Sequence, residues 1–372
     1  MDRIKKIDAI EVFIVKLPLV ETFETSLGVE THKEALLIKL TSEGVNGWGE
    51  CVASPEPFYS YETNETALHI IRNFLLPRIN KMRNFTIEEV LEVFEWIRGH
   101  YMAKATVENA LLDLMAKNES VPLYSLIGGK KQKIMSGISI GIKEDTKVLL
   151  EIIEKALAKK YQRIKIKIKK GKEIEPLTKI REIFPDIKLM VDANTDYTIN
   201  DISLLKQLDD FELMMIEQPL DHDDIYFHSL VQRELKTPIC LDESIENLND
   251  AKTAIELGSC RIINIKQGRV GGISKAKSIQ EYCNLKNIPV WSGGMLETGI
   301  GRAFNIHLQT LPGFTLPGDT SETSRYFQED IVEPSITLRS DGFIDIPEGV
   351  GIGVEIISDK LKSFTTFSEK II

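Results

Sequence analysis

The sequence predicts an α/β protein in which a parallel (β/α) barrel follows an α+β lobe. Three observations carry this. From Ser136 onward, short apolar runs alternate with amphipathic helical patterns, as in consecutive βα units. Three of those runs end in an acid, Asp192, Glu217 and Asp242, at equal intervals (217 − 192 = 25 and 242 − 217 = 25), and Lys266 ends the next run 24 residues further on. That interval is a strand, a loop, a helix and a return loop. Finally, no Gly-x-Gly-x-x-Gly follows the first strand, which counts against an open dinucleotide-binding sheet. At 372 residues the chain has room for a barrel and a smaller lobe.

The lobe is expected over residues 1–129. Residues 8–18 and 35–53 read as strands, and the segment between them, VETFETSLGVETHKE, has few core-forming residues. NGWGE at 46–50 reads as a turn or bulge because of its two glycines, and the Pro-rich 54–65 as a loop. From Thr63 to Asn118 the period becomes helical, with Pro77 expected to end the first helix and Thr86 with Glu89 forming a capping box at another. Gly128-Gly129 is a natural boundary. The barrel is expected over 130–330. Its strands read as SGISIGI, RIKIKIKK, IKLMVDA, LMMIEQP, PICLDE, RIINIKQ and PVWSGG, and FTLPGDTS at 314–321 is expected to end the circuit. The tail, 331–372, carries strand-like pieces and is expected to return to the first lobe.

Composition narrows the function. The net charge of −10 argues against nucleic acid as a partner, which usually meets a basic face, but leaves room for a small anionic substrate met by local lysines. The four cysteines form no Cys-x-x-Cys pair and read as reduced, small apolar residues. No run has the length of a membrane helix, and Asp8, Glu11 and Lys16 interrupt the apolar stretch at the amino end, so a cytoplasmic protein is expected. The six histidines cluster nowhere in the sequence.

Barrel sites lie at the carboxyl ends of the strands. Each of Asp192, Glu217 and Asp242 alone would suit a helix N-cap. Three of them at equal strand ends repel one another unless a cation sits among them, and hard oxygen donors suit Mg²⁺, with Mn²⁺ possible. Lys165 and Lys167 are two apart and share a strand face; with helices outside the barrel, the isoleucines between them pack outward and the lysines face the lumen. Lys266 ends a strand on the far side of the acids, where neighbouring cations would lower its proton affinity. A carboxylate substrate held between Lys167 and Lys266 would lose its α proton to one lysine, while the metal and the opposite ammonium steady the enediolate.

The order Lys-x-Lys, Asp-x-Asn, Glu-x-Pro, Asp-Glu and then a lysine strand resembles the enolase superfamily in its muconate-lactonizing-enzyme-like branch. DANTDYT, MIEQPL, TPICLDESI, INIKQGRVGG, VWSGGMLETGIGR and LPGDTS, with ETFETSLG, GWGEC and MAKATVENALLD in the lobe, resemble the o-succinylbenzoate synthase and N-succinylamino acid racemase family over nearly the whole chain. The resemblance implies a modified (β/α)7β TIM-type barrel under an α+β capping domain built from the N-terminal segment and the C-terminal tail. It implies Asp192, Glu217 and Asp242 as magnesium ligands, Lys167 and Lys266 as acid/base residues, and Lys165 as an electrostatic aid to the substrate carboxylate. Asn194 and Glu243 would be polar partners within the site, Glu243 standing behind Lys266 or the metal. Lid loops at 20–32 and 53–62 would bring Phe23, Leu27 and Tyr59 over the substrate, and Ser139 and the Gly293-Gly294-Met295 turn would line the pocket. Arg269 would tune Lys266 and mark racemase-capable members, whereas Gln267 stands where many relatives have proline. No histidine follows the late strand VWSGGMLET, unlike a mandelate-racemase-type site, and LPGDTS offers only Asp319 where a dipeptide epimerase would carry Asp-x-Asp. The implied reaction is dehydration of 2-succinyl-6-hydroxy-2,4-cyclohexadiene-1-carboxylate in menaquinone synthesis, or racemisation of N-succinylamino acids, in an enzyme of a kind that commonly forms homo-oligomers.

Overall fold

In the computed structural model, which describes residues 3–372, the chain opens with three antiparallel strands, β1 (Ala9–Thr25), β2 (Gly28–Ser42) and β3 (Val45–Cys51). Alternate residues of β1 (Ile10 and Val12, then Val15 and Leu17 beyond a bulge) turn into the core. The segment 20–32 is therefore not a loop. Phe23 pairs with Glu30 and Thr25 with Gly28, so it is the far end of a long hairpin, after a break in register between Pro18 and Phe23. Backbone pairing holds it extended although it brings little apolar surface.

NGWGE is likewise strand, not turn. A Cβ on Gly47 would stand 2.1 Å from the Ala110 carbonyl oxygen, and one on Gly49 the same distance from that of Thr106. The glycines are there because the helix Tyr101–Asn118 lies directly on β3. That helix is buried from Met102 to Ala116, as expected of one enclosed on all sides. Gly49→Ala should cost about 3 kcal/mol, the upper end for overpacking because backbone cannot step aside, measured as a lower urea midpoint at unchanged slope.

Pro77 does not end its helix, which runs to Ile79; a π turn at Ile71–Leu75 precedes the proline. The Thr86–Glu89 capping box is present, with Glu89 N–H on Thr86 and the Glu89 carboxylate on the Thr86 N–H. The helix Leu123–Ile127 ends on Gly128, left-handed at φ 86°.

After β4 (Lys133–Met135), seven parallel strands form one sheet in chain order: β5 (Gly137–Ile140), β6 (Arg163–Lys167), β7 (Leu189–Asp192), β8 (Ile216–Glu217), β9 (Ile239–Leu241), β10 (Ile262–Ile265) and β11 (Val290–Ser292). The segment 314–321 closes the ring. On one side Asp319 N–H donates to Ser292 O at 2.9 Å, and on the other Gly137 N–H donates to Gly318 O at 2.7 Å. The fold is thus a modified barrel with an N-terminal capping lobe. Past the barrel, the strand Thr365–Lys370 pairs antiparallel with β1, Lys370 opposite Glu11, and becomes the outer strand of the N-terminal sheet.

Strand register places the site. Lys167 pairs with Asp192 and Asp192 with Glu217, so the three stand abreast at the mouth. Two residues before the acids lie Met190, Met215 and Cys240, which form an apolar cluster with Ile262 of β10 and Trp291 of β11. The period of two sets an apolar floor beneath the carboxylates. Among the described residues no helix is long and apolar enough to cross a membrane.

Candidate active site

Each of the three acids is anchored through one oxygen and presents the other to a lysine. Asp192 Oδ1 accepts from the Asn194 N–H at 3.0 Å, and its Oδ2 accepts from Lys167 at 2.6 Å and Lys165 at 3.1 Å. Glu217 Oε1 accepts from Asn264 Nδ2 at 2.8 Å, and its Oε2 from Lys165 at 3.0 Å. Asp242 Oδ1 is held by the Arg269 guanidinium, and its Oδ2 by Lys266 at 2.7 Å. The anchoring donors fix the carboxylate planes. The lysines hold the places toward which the second oxygens point.

The charges follow from this wiring. Burial opposes ionisation of Asp192, but Lys167 and Lys165 overcome it and hold its pKa at about 2. Glu217 goes the other way, pushed up to about 8 by burial and then by the Asp192 charge. Glu243, which accepts from Asn194 Nδ2 at 3.0 Å and has its second oxygen buried without a partner, is raised to about 7 by burial and the Asp242 charge. Burial works against the charge on Lys165, yet Asp319, Glu217 and Asp192 together hold its pKa well above the ordinary value. Lys266 reverses the expectation drawn from its neighbours. Burial and Arg269 do lower its proton affinity, but Asp242 outweighs them and the pKa lies above the usual lysine value.

This donor set fits a divalent cation. Three carboxylates converge over an apolar floor, one of them is driven toward protonation, and the Lys165 ammonium already bridges Asp192 and Glu217. The acids are spread more widely than ion ligands would be. Among the described residues, the one group of three such side chains with ligand atoms within 4.8 Å is the exposed Asp221–His222–Asp223. Between the barrel acids stands the Lys165 ammonium, 3.1 Å from Asp192 and 3.0 Å from Glu217.

A cleft opens above these groups in two arms that share Phe23, Lys167, Lys266, Gly294 and Leu296. Lys165 and Ser139 line the first arm, and the Ser139 hydroxyl is buried without a partner. Leu27, Tyr59, Asn194 and Met295 line the second. Tyr59 accepts from Lys266 at 2.9 Å and from Arg269 at 3.1 Å. The hairpin tip closes down on the barrel through the Ser26 hydroxyl, which donates to the carbonyls of Ala193 at 3.1 Å and Asn194 at 2.9 Å. Buried Lys33 on β2 ties the same hairpin to the Met295 carbonyl at 3.1 Å.

Gly293, expected at the pocket wall, and Arg269, expected to tune Lys266, both stand behind that wall. Arg269 is 3 % exposed and spends its donors on Ile245 O, Asn264 O, Asp242 and Tyr59, so it orients a carboxylate and a phenol without facing the cleft. Gly293 lies against Asn264 and Lys266, where a Cβ would come within 2.7 Å of Lys266 Cε.

Arg163 and Asn264 carry no sequence expectation, and Asp319 enters there only as the lone acid of LPGDTS. Arg163 shares the inward face of β6 with Lys165 and Lys167; it bonds Asp319 at 2.7 Å and lies 4.8 Å from the Trp291 ring. The period-two spacing Arg-x-Lys-x-Lys was the available signal. Asp319 also pairs with Lys165 at 2.6 Å and belongs to no regular element. Asn264, two before Lys266 on β10, was legible by the same period.

Comparison with known proteins bears on this arrangement. Residues 9–128 match the N-terminal domain of the mandelate racemase / muconate lactonizing enzyme family, and residues 149–360 match the enolase C-terminal domain-like family. An o-succinylbenzoate synthase of Geobacillus stearothermophilus is 45% identical over 356 residues, 95% of each chain. An N-succinylamino acid racemase of Thermus thermophilus is 44% identical over 351 residues, 94% of this chain and 95% of that one. A solved enolase-superfamily protein from Listeria innocua superposes with a TM-score of 0.95 at 42% identity, covering 99% of both chains.

Proposed function

The chain belongs to the mandelate racemase / muconate lactonizing enzyme family of the enolase superfamily, and we propose that within it the protein is an o-succinylbenzoate synthase. Sites of this superfamily pair a lysine or histidine base with one or two magnesium ions. Here Asp192, Glu217 and Asp242 would hold Mg²⁺, or Mn²⁺ in its place. When bound, the ion supplies positive charge to the substrate carboxylate as the adjacent C–H bond breaks.

The chain's own residues do the rest. Lys167 takes the α proton of 2-succinyl-6-hydroxy-2,4-cyclohexadiene-1-carboxylate. Lys165, kept charged by its three acids, faces the negative charge that develops on the carboxylate oxygens. The C–H electron pair passes into the ring as the C–O bond breaks; the hydroxyl leaves as water with the proton that Lys167 took, and the ring of o-succinylbenzoate becomes aromatic. The Phe23–Leu27 hairpin and Tyr59 screen this from solvent. The observation that carries the reading is that two lysines, Lys167 and Lys266, flank the acid-bearing strands and line one cleft. In a cell that makes menaquinone this is the dehydration that makes the ring aromatic.

The same geometry supports a second reading, racemisation of N-succinylamino acids, because Lys266 faces the cleft from the side opposite Lys167. Dehydration needs one base, racemisation two. Lys266→Arg should abolish racemisation, by about 10³-fold or more, and leave dehydration within about 100-fold of the parent. Both are read on purified protein with Mg²⁺, by product absorbance and by polarimetry. Equal loss of the two activities would contradict the division of labour.

A further inference from the structure

Arg302 has no counter-charge. It lies in the helix Gly299–Gln309 and is 3 % exposed, yet it forms no ion pair among the described residues. Its Nη2 donates to the Glu297 carbonyl at 2.9 Å, while Nη1 is buried with no partner. The guanidinium is held 5.4 Å from the Tyr326 ring centroid and 5.7 Å from that of Phe327. A buried arginine without an anion is costly, and this one lines the first arm of the cleft.

The two arms differ in character. Each reaches the junction at Lys167 and Lys266, where the reacting carbon is held. The second arm is lined by Leu27, Phe58, Tyr59 and Met295, with Glu30 and Asn194 its acidic and amide groups. The first arm ends on Arg302, Asn305 and Thr320; its two acids are already engaged, Glu297 by Asn305 Nδ2 and the Met295 N–H, and Asp319 by Arg163 and Lys165. Of the cations lining the first arm, Lys165, Lys167 and Lys266 are each bound to site carboxylates, and Arg302 alone is not.

We propose that Arg302 binds the second carboxylate of a dicarboxylate substrate, the one remote from the α proton, and that the apolar arm takes the remaining part of the molecule. Arginine suits this because its planar fork meets a carboxylate through two parallel bonds and stacks on aromatic rings. The inference rests on the α-proton chemistry proposed above. It makes Arg302 a specificity residue, whose contact far from the reacting carbon is used to seat that carbon between the lysines.

The test compares an N-succinylamino acid with its N-butyryl counterpart, in which a methyl group replaces the distal carboxylate. Exchange of the α proton in deuterated water is followed by NMR, and binding by the shift in melting temperature. The parent should favour the succinyl compound in kcat/KM by about 100-fold, the scale of a buried charge pair. Arg302→Met should bring that ratio to within about threefold, through a raised KM for the succinyl compound. Arg302→Lys, which keeps a cation without the fork, should leave about tenfold. If Arg302 only props Tyr326, Arg302→Met will slow exchange of both compounds alike and keep the ratio, which overturns the proposal. Should the methionine variant not fold, an unchanged ratio in Arg302→Lys overturns it instead. A parent that neither exchanges nor binds either compound, yet dehydrates 2-succinyl-6-hydroxy-2,4-cyclohexadiene-1-carboxylate, rejects the racemase reading and this role of Arg302; a parent inactive on all three rejects the α-proton reading itself.

Discussion

Lys167→Ala should lower dehydration and racemisation together by about 10⁴-fold, the upper range for a positioned acid/base group. Lys167 donates to Asp192 Oδ2 and to Asn194 Oδ1, both at 2.6 Å, and lines both arms of the cleft. No neighbour can substitute for it: Lys165 is held by three carboxylates, and Lys266 stands across the site on Asp242. Magnesium affinity, read by calorimetry, should change little, because Asp192 keeps Lys165 and the Asn194 N–H. The lost exchange of the α proton at the Lys167 face separates this from general damage. A variant that still exchanges that proton at the parental rate would remove Lys167 from the reaction.

Glu217→Gln is expected to abolish activity at millimolar magnesium and to weaken magnesium binding by about 100-fold or more, since ligand-orienting neighbours alone reach that scale. The amide keeps the shape of the side chain, and its oxygen can still accept from Asn264. Stability moves in the opposite sense. Folding raises the Glu217 pKa from 4.5 to about 8, so the metal-free fold takes up a proton and loses stability as pH climbs from about 4.5 to about 8. At pH 7 the glutamine variant is free of that penalty. Without metal it should melt at or above the parental temperature, and addition of magnesium should no longer raise the melting point as it does for the parent. Calorimetric scans with and without magnesium check both signs. A metal-free variant that melts well below the parent would show that Glu217 is ionised and favourably paired.

The barrel was legible because each βα unit repeats a local pattern, and its acids fall at the same place in each repeat. The capping lobe was less so. The hairpin from Val20 to His32 brings few core residues; it is held by pairing across its own tip, Phe23 with Glu30 and Thr25 with Gly28, and by the Ser26 hydroxyl on the distant carbonyls of Ala193 and Asn194, which no local period records. Gly47 and Gly49 looked like a turn because a glycine demanded by a neighbouring helix reads the same as one demanded by φ. In the site, the lysines and carboxylates stood out through spacing. Arg163 and Asn264 obeyed that spacing and were passed over, since a single arginine or asparagine in an apolar run is ordinary. Asp319 and Arg302 lie on the segment and helix that close the ring, where no repeat marks them. The Lys266 proton affinity was misjudged for a related reason: sequence shows which charges lie in a neighbourhood but not that Asp242 sits 2.7 Å away.

The pairing of Thr365–Lys370 with β1 bears on how the chain is made. On the ribosome the first strand emerges long before its outer neighbour, with the entire barrel synthesised in between. Until then one edge of the N-terminal sheet offers unpaired N–H and C=O groups to any extended segment nearby. The β1–β2–β3 meander and its helix can form early from neighbouring residues, but the sheet is sealed only once Thr365–Lys370 has been made. A chain halted before Thr365–Lys370 would therefore display an open, adhesive edge on its N-terminal sheet.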